Sequence, residues 1–361
     1  MLNRRGVYLR NLVENKGHEE VTRILMEALA TNELKLEEFS FLETAYAFMG
    51  AEWLANLASR DHGGFGGHNT PLFEAGAVDS TAFSNITGQI IYSATMEGYK
   101  NPMFIGDQLV TVTPTNLLDG EKIAGITEPQ GEVEDVAEGM PFPRLGVAED
   151  YIETPATAKM GFIIGLTKEA LLKDRTGLIM DRARMVGERV AMRREKKILD
   201  VVLGITNNYK RKGTSMNTFL TSGAYINKVT GNELVNWTDI EVAELLFNDI
   251  TNPDQTDDSE PVVFTPNTLV VMPFKRHTAR QIVNATSLEQ RTPTTQADVR
   301  HTPNSVEPYT IISSPIAQQR LVKSGVAASD AKNYWQLGNH KKAFRYMQVY
   351  PVQVTQAPLN H

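Results

Sequence analysis

The sequence predicts a mixed α+β fold: a helical N-terminal arm, a long acidic β-hairpin, one long charged helix, then a lobe of alternating strands and helices. Three observations carry this prediction. Residues 128–153 hold eight carboxylates (Glu128, Glu132, Glu134, Asp135, Glu138, Glu149, Asp150 and Glu153) against the single Arg144, a segment charge of −7 that equals the charge of the whole chain. The segment lies between two β-like runs, 121–127 and 157–167, and has few apolar residues near its middle. It therefore cannot bury much of itself on its own domain and is expected to project and lie on something basic. The second observation is the helical periodicity of 178–203, which begins soon after the hairpin. The third is the alternation of apolar strand-like runs with amphipathic segments from 218 to the C-terminus.

Size and composition set the bounds. A chain of 361 residues can form one large or two modest domains, each with a sizeable core. The absence of cysteine excludes disulfides, Cys-based zinc sites and thiol catalysis. Arg4, Arg5 and Arg10 are not followed by the apolar core of a secretory signal. No run approaches the roughly 20 apolar residues of a membrane span, so the expectation is a chain made in the cytoplasm with no membrane partner. Mild acidity argues against dedicated duplex binding and leaves room for non-specific contact with nucleic acid.

Along the chain, Val21, Ile24, Leu25, Ala28 and Leu29 share one helical face. Ser40 and Glu43 form a candidate capping box for a second helix, in which Leu42, Tyr46, Met49, Trp53 and Leu57 recur at helical spacing. His62 and His68 bracket four glycines, which reads as a hinge, because a metal site would need a further ligand nearby. Residues 1–90 thus read as an arm with a glycine hinge. Strands are expected at 109–113 and 121–127, with the acidic arm returning along a strand through Phe162, Ile163 and Ile164. About thirty residues separate these two strands, and unstructured connections of that length are usually functional.

In 178–203, Leu178, Met185, Met192 and Leu199 recur every seven residues beside Ile179, Ala183, Val186 and Val190, predicting a single buried stripe. From Asp181 to Asp200 this helix has seven basic and four acidic side chains. Arg193, Arg194, Lys196 and Lys197 crowd its C-terminal half, where they complement the helix dipole. Together with Arg182 and Arg189 they are the candidate counter-surface for the acidic arm, against the plainer reading of a solvated helix face. Gly204 is a natural stop. Beyond it, 218–229 is strand-like, 237–250 is an amphipathic helix with Thr238 as N-cap, and 252–261 is an acidic loop. A strand at 268–272, a helix at 274–285, a Thr/Pro-rich stretch at 292–308, a strand at 309–313 and a long final strand at 344–355 complete the chain.

Chemistry-bearing motifs are missing. There is no Walker loop, dinucleotide fingerprint, nucleophile elbow or paired-histidine zinc motif, so no enzyme activity, cofactor or metal is expected. His18, His277, His301, His340 and His361 each stand alone in sequence.

This order of elements, clearest over 106–203 and including the Gly165–Ala170 run GLTKEA that leads into the long helix, resembles the tailed-bacteriophage major capsid proteins, which share the Hong Kong phage capsid fold. The resemblance covers roughly 90–361. It implies a peripheral domain of 91–214 and 336–361, containing an extended loop (107–165) and a spine helix (178–203), and an axial domain of 215–335. It also implies self-assembly through pentamers and hexamers into an icosahedral shell around a double-stranded DNA genome, with the extended loop lying on a neighbouring subunit. Implied partners are further copies of the chain, a separate scaffolding protein, a portal, a decoration protein and, non-specifically, packaged DNA. The implied location is the virion capsid, assembled in the host cytoplasm. The arm is expected to be retained from Met1. Lys122 and Lys159 lie on the strands of the loop, but no residue can be matched to the covalent cross-linking that some members of the family perform. Two alternatives remain open: an encapsulin-type compartment shell and, from a different class, a soluble α/β enzyme using His62 or His68.

Overall fold

The computed structural model describes residues 4–31, 40–48, 50, 77–126, 149–161, 176–206, 210–223, 226–249, 264–291 and 299–353. In chain order these form α1 (Arg4–Lys16), α2 (His18–Ala30), α3 (41–48), α4 (Ala77–Tyr99), α5 (Gly106–Leu109), β1 (Thr111–Pro114), β2 (Lys122–Ile126), β3 (Glu149–Glu153) and α6 (Thr176–Val202). There follow β4 (Lys210–Arg211), β5 (Thr214–Ser215), α7 (Trp237–Asn248), β6 (Thr268–Val271), α8 (Arg276–Val283), β7 (Ser287–Arg291), β8 (Val299–Pro303) and β9 (Thr310–Ser313). The last elements are α9 (Pro315–Lys323), α10 (Ala328–Ala331), β10 (Trp335–Gly338), α11 (His340–Ala343) and β11 (Arg345–Gln348). Contacts divide the chain into two units, one of Met1–Asn101, Met160–Met192 and Tyr350–His361, the other of Pro102–Lys159 and Arg193–Val349.

The regular elements described in the first unit are helices. Its core joins Val21 and Leu25 of α2, Phe41, Ala45 and Phe48 of α3, Ile86, Ile90 and Ala94 of α4, and Ile179, Met180 and Ala183 of α6. Full burial of an Ile or Phe side chain here contributes roughly 1.5–3 kcal/mol. The Ser40 hydroxyl accepts from the Glu43 amide at 3.3 Å, as the capping signal predicts. The buried face of α3 differs from the predicted one. Phe41, Thr44, Ala45 and Phe48 are buried at i, i+3, i+4 and i+7, whereas Leu42 and Tyr46 are half-buried. The other members of that predicted stripe (Met49, Trp53, Leu57) and the His62–His68 glycine segment lie outside the described residues.

The second unit carries the sheets. Three strands in the order β10–β6–β9 form a mixed sheet, with β10 antiparallel and β9 parallel to β6. Leu269 and Val271 of β6 point into a cluster with Leu234, Ile240, Ala279, Ile282 and Tyr309, so α7 and α8 pack on the same face of this sheet. A four-stranded sheet, β2–β3–β4–β5, contains the base of the predicted hairpin. β1 pairs in parallel with β11, Thr111 opposite Arg345.

Several predicted elements shift. Residues 106–109 are helical, and the strand expected at 109–113 begins at Thr111. The partner of β2 is Glu149–Glu153, in the register Lys122↔Glu153 to Ile126↔Glu149, rather than a strand at 157–167. Residues 154–161 have no regular structure, and 162–167 fall outside the described residues. Residues 218–223 and 226–229 are also irregular rather than strand. Asn227 supplies the hydrogen bonds a ladder would have made, its side chain accepting from Leu220 N at 2.7 Å and donating to Thr218 O at 2.8 Å. The cap of α7 is Asn236 rather than Thr238: Asn236 Oδ1 accepts from Thr238 N, and Asp239 Oδ2 accepts from Asn236 N at 2.8 Å in a reciprocal box. The Thr/Pro-rich stretch contains β8, which forms a five-pair antiparallel hairpin with β7. The final strand is only four residues long, with Pro351, which has no N–H to donate, soon after it.

Candidate assembly surface

α6 is the longest of the described helices, and a helix of this length presents an extended face to other copies. It starts two residues before the predicted boundary, where the Thr176 hydroxyl accepts from the Phe41 amide at 3.0 Å. It ends at Gly204, whose φ of 68° only glycine adopts without strain and whose added Cβ would meet the Phe219 ring at 2.5 Å.

The heptad spacing predicts that Leu178, Met185, Met192 and Leu199 are buried together. Only Leu199 is; Leu178 is 42% and Met185 61% exposed. The buried face instead runs Thr176, Met180, Ala183, Gly187, Ala191. Small residues occupy its Ala183–Ala191 part because α4 comes very close there. A Cβ on Gly187 would fall inside contact with the Thr95 carbonyl oxygen and stand 2.9 Å from Tyr99 N, and one on Gly98 would stand 2.8 Å from the Arg184 carbonyl carbon. Packing therefore turns the large apolar side chains outward, where they interleave with Arg182 and Arg189, both exposed.

The remaining nominated basic residues have different settings. Arg193 is exposed, and Lys196 and Lys197 are half-buried. Arg182, Arg189 and Arg193 make no ion pair among the described residues. Arg194 is committed within its own chain: its guanidinium pairs with Asp107 and lies 4.8 Å from the centre of the Tyr346 ring. Beside it, the buried Glu195 accepts from Ile105 N at 3.1 Å and Gly106 N at 2.7 Å, satisfying amides at the start of α5. Burial raises the Glu195 pKa, and the two backbone donors pull it back. A raised folded value means that its contribution to stability falls as pH rises through that value. Glu195→Ala leaves two buried amides without an acceptor and is expected to cost about 2 kcal/mol or more. Denaturant unfolding measures this, and faster hydrogen exchange at Ile105 and Gly106 localises it.

The end of α6 is held by side chains sequence reasoning did not single out. Arg320 grips Asp200 bidentately at 2.6 and 2.7 Å. Gln336 Nε2 donates to the Val202 carbonyl at 3.0 Å, one of the orphan acceptors of a helix C-terminus. His340 Nε2 lies 3.3 Å from Gln336 Oε1. Neither pairing has a sequence signal, since more than a hundred residues separate Asp200 from Arg320 and Val202 from Gln336.

Of the acidic candidates, Glu128, Glu132, Glu134, Asp135 and Glu138 lie outside the described residues. Glu149, Asp150 and Glu153 are on β3, where Glu153 meets Lys122 at 3.6 Å across the hairpin. With the Lys122 end in solvent, this pair contributes at most about 1 kcal/mol. Lys122 also sits 4.7 Å from the centre of the Tyr151 ring. Among the described residues Glu153 makes no ion pair with Arg193, Arg194, Lys196 or Lys197.

Among the described residues no group of three His, Asp or Glu side chains could hold a metal ion, and no helix is long and apolar enough to cross a membrane. Comparison with known proteins gives one family: residues 151–359 match a model described as phage capsid protein. No curated protein and no solved structure matches the chain. The matched region takes in α6 and the whole α/β lobe, more than half of the sequence, and the chain belongs to this family of phage capsid proteins, structural subunits rather than enzymes.

Proposed function

We propose that this chain is the major capsid protein of a tailed bacteriophage, self-assembling into an icosahedral shell that encloses double-stranded DNA. In this reading 107–165 is the extended loop, 178–203 the spine helix, 215–335 the axial domain, and 91–214 with 336–361 the peripheral domain. The loop's carboxylates, Glu128 to Glu153, lie on the outward stripe of a neighbour's helix. One observation supports this most directly. α6 carries an unburied stripe, Leu178, Arg182, Met185 and Arg189, apolar and basic together, in a chain that also contains a −7 segment. A stripe of that kind suits an acidic, sparsely apolar strand from another copy.

Expressed protein is expected to form closed shells in electron micrographs, and nucleic acid in particles from infected cells separates a virion from a cargo compartment. Reversing Glu132, Glu134 and Asp135 together to Lys is expected to suppress shell formation and to make the residual assembly more sensitive to salt. Each exposed pair is worth only about 0–1 kcal/mol, so the effect depends on repetition over many copies. Unchanged assembly and salt tolerance in the triple variant would remove the loop-on-helix contact from this reading.

A further inference from the structure

The α/β lobe segregates charge in a way its own fold does not explain. From Val229 to Phe274 the chain has nine carboxylates and no Lys, Arg or His; from Lys275 to Gln348 it has eleven Lys and Arg against four carboxylates. The division falls between two helices on one face of the β10–β6–β9 sheet. Trp237 and Ile240 of α7 and Ala279, Ile282 and Val283 of α8 join the same apolar cluster, but α7 contacts β10 and α8 contacts β9, the two outer strands.

Their outward surfaces are complementary. On α7, Glu241, Val242, Leu245 and the following Asp249 are all exposed, Leu245 at 54%. On α8, Arg276 and Arg280 are exposed, next to Phe274, which is 60% exposed and flanked by Lys332 Nζ at 5.0 Å from its ring centre. Among the described residues Glu241, Asp249, Arg276 and Arg280 form no ion pair. Two of these charges also do not serve their own helices. Asp249 stands at the C-terminus of α7 and Arg276 at the N-terminus of α8, each the unfavourable sign for the local helix dipole.

We propose that the α7 surface of one subunit docks on the Phe274–α8 surface of a second copy, with Val242 and Leu245 against Phe274 and the carboxylates against Arg276 and Arg280. This rests on the capsid reading and adds to it the pair of faces that meet. Because the two surfaces differ and lie over opposite edges of one sheet, the contact is heterologous. It leaves a free face at each end of any dimer, so it continues from subunit to subunit until a ring closes. An apolar centre with charged flanks is the usual anatomy of a protein–protein contact, and the charges fix partner and register.

The test is charge exchange at exposed positions, with particle yield as the readout and circular dichroism of the unassembled subunit as the folding control. Arg276→Glu with Arg280→Glu is expected to lower yield about tenfold, and so is Glu241→Arg with Asp249→Arg, because each sets like charges face to face. All four substitutions together are expected to restore it. Independently, since the chain has no cysteine, Asn248→Cys with His277→Cys is expected to give a ladder of covalent oligomers when assembled particles are treated with a short bismaleimide. Shells that tolerate either reversal, that are not rescued by the combination, or that give no ladder would overturn this interface and leave the capsid assignment standing, with these faces covered by something other than a second copy. A wild-type protein that never assembles would instead overturn the capsid assignment itself.

Discussion

Gly187→Ala is expected to destabilise the helical unit, although alanine is the better helix former. In an exposed helix interior the exchange gains about 1 kcal/mol. At Gly187 the added methyl would overlap the Thr95 carbonyl oxygen and crowd Tyr99 N at 2.9 Å. These are backbone atoms of α4 and cannot rotate aside, so the helices must separate and give up contacts around Ala94, Met180 and Ala183. Overpacking of this kind costs about 1–3 kcal/mol and occasionally more, which outweighs the propensity gain. Gly98→Ala is expected to behave in the same way against Arg184. Gly88, in the same α4 with nothing within 4 Å of an added Cβ, is the control, and Gly88→Ala is expected to stabilise by about 0.5–1 kcal/mol. Thermal or denaturant unfolding of the three variants reads out opposite signs. A stabilising Gly187→Ala would mean that α4 and α6 do not cross this closely.

The second large effect is expected from pH. Burial pushes the His340 pKa down to about 4 from the usual 6.5. A depressed folded value means that the unfolded chain takes up a proton near pH 6.5 and the folded one does not. Stability is therefore complete above pH 6.5, is lost progressively as pH falls toward 4, and then levels off. The interval corresponds to about 3 kcal/mol. Protonation would also disturb the Gln336 side chain that serves the Val202 carbonyl, loosening the end of α6. Urea titrations between pH 7 and 4, followed through Trp237 and Trp335 in this unit, measure the loss. His340→Gln, which keeps a polar partner for Gln336 but cannot take up that proton, is expected to flatten the curve relative to wild type. Parallel curves for the two proteins would show that His340 is not the group responsible.

Local signals in the sequence were good guides to where elements lie. The long helix, its glycine stop, the Ser40 cap, the β2 strand, the buried β6 strand and the amphipathic α7 are all found within a few residues of their predicted bounds, because each depends on interactions close in sequence. Faces and pairings were harder. The Leu178–Met185–Met192 spacing was the strongest periodic signal in α6, yet α6 buries the opposite side. Large apolar side chains usually mark the core, but where α4 crosses at Gly187 the nearest neighbour is a backbone at glycine distance, and only small residues fit there. The same holds for the partner of β2. Residues 149–153 are acidic and look like loop, but the register that sets Glu153 opposite Lys122 makes them a strand.

The candidate charges divide in a similar way. Composition alone exposes the −7 segment and the basic helix, since both are counts along the chain. It does not separate Arg194, occupied by Asp107 and Tyr346, from Arg182 and Arg189, which face outward, because that distinction depends on residues far apart in sequence. The β7–β8 hairpin has no local signal for a related reason: its strands are polar on both sides of a Thr/Pro-rich connection, so no alternation announces them.

The sequence by itself determined where the long helix, β2, β6 and α7 lie, and the acidic segment, since capping, periodicity and charge act over a few residues. Only the tertiary structure decided which side of α6 meets α4, which strand completes the hairpin, and which arginines stay available. Those outcomes turn on how closely two backbones can approach and on which distant group reaches a given side chain first.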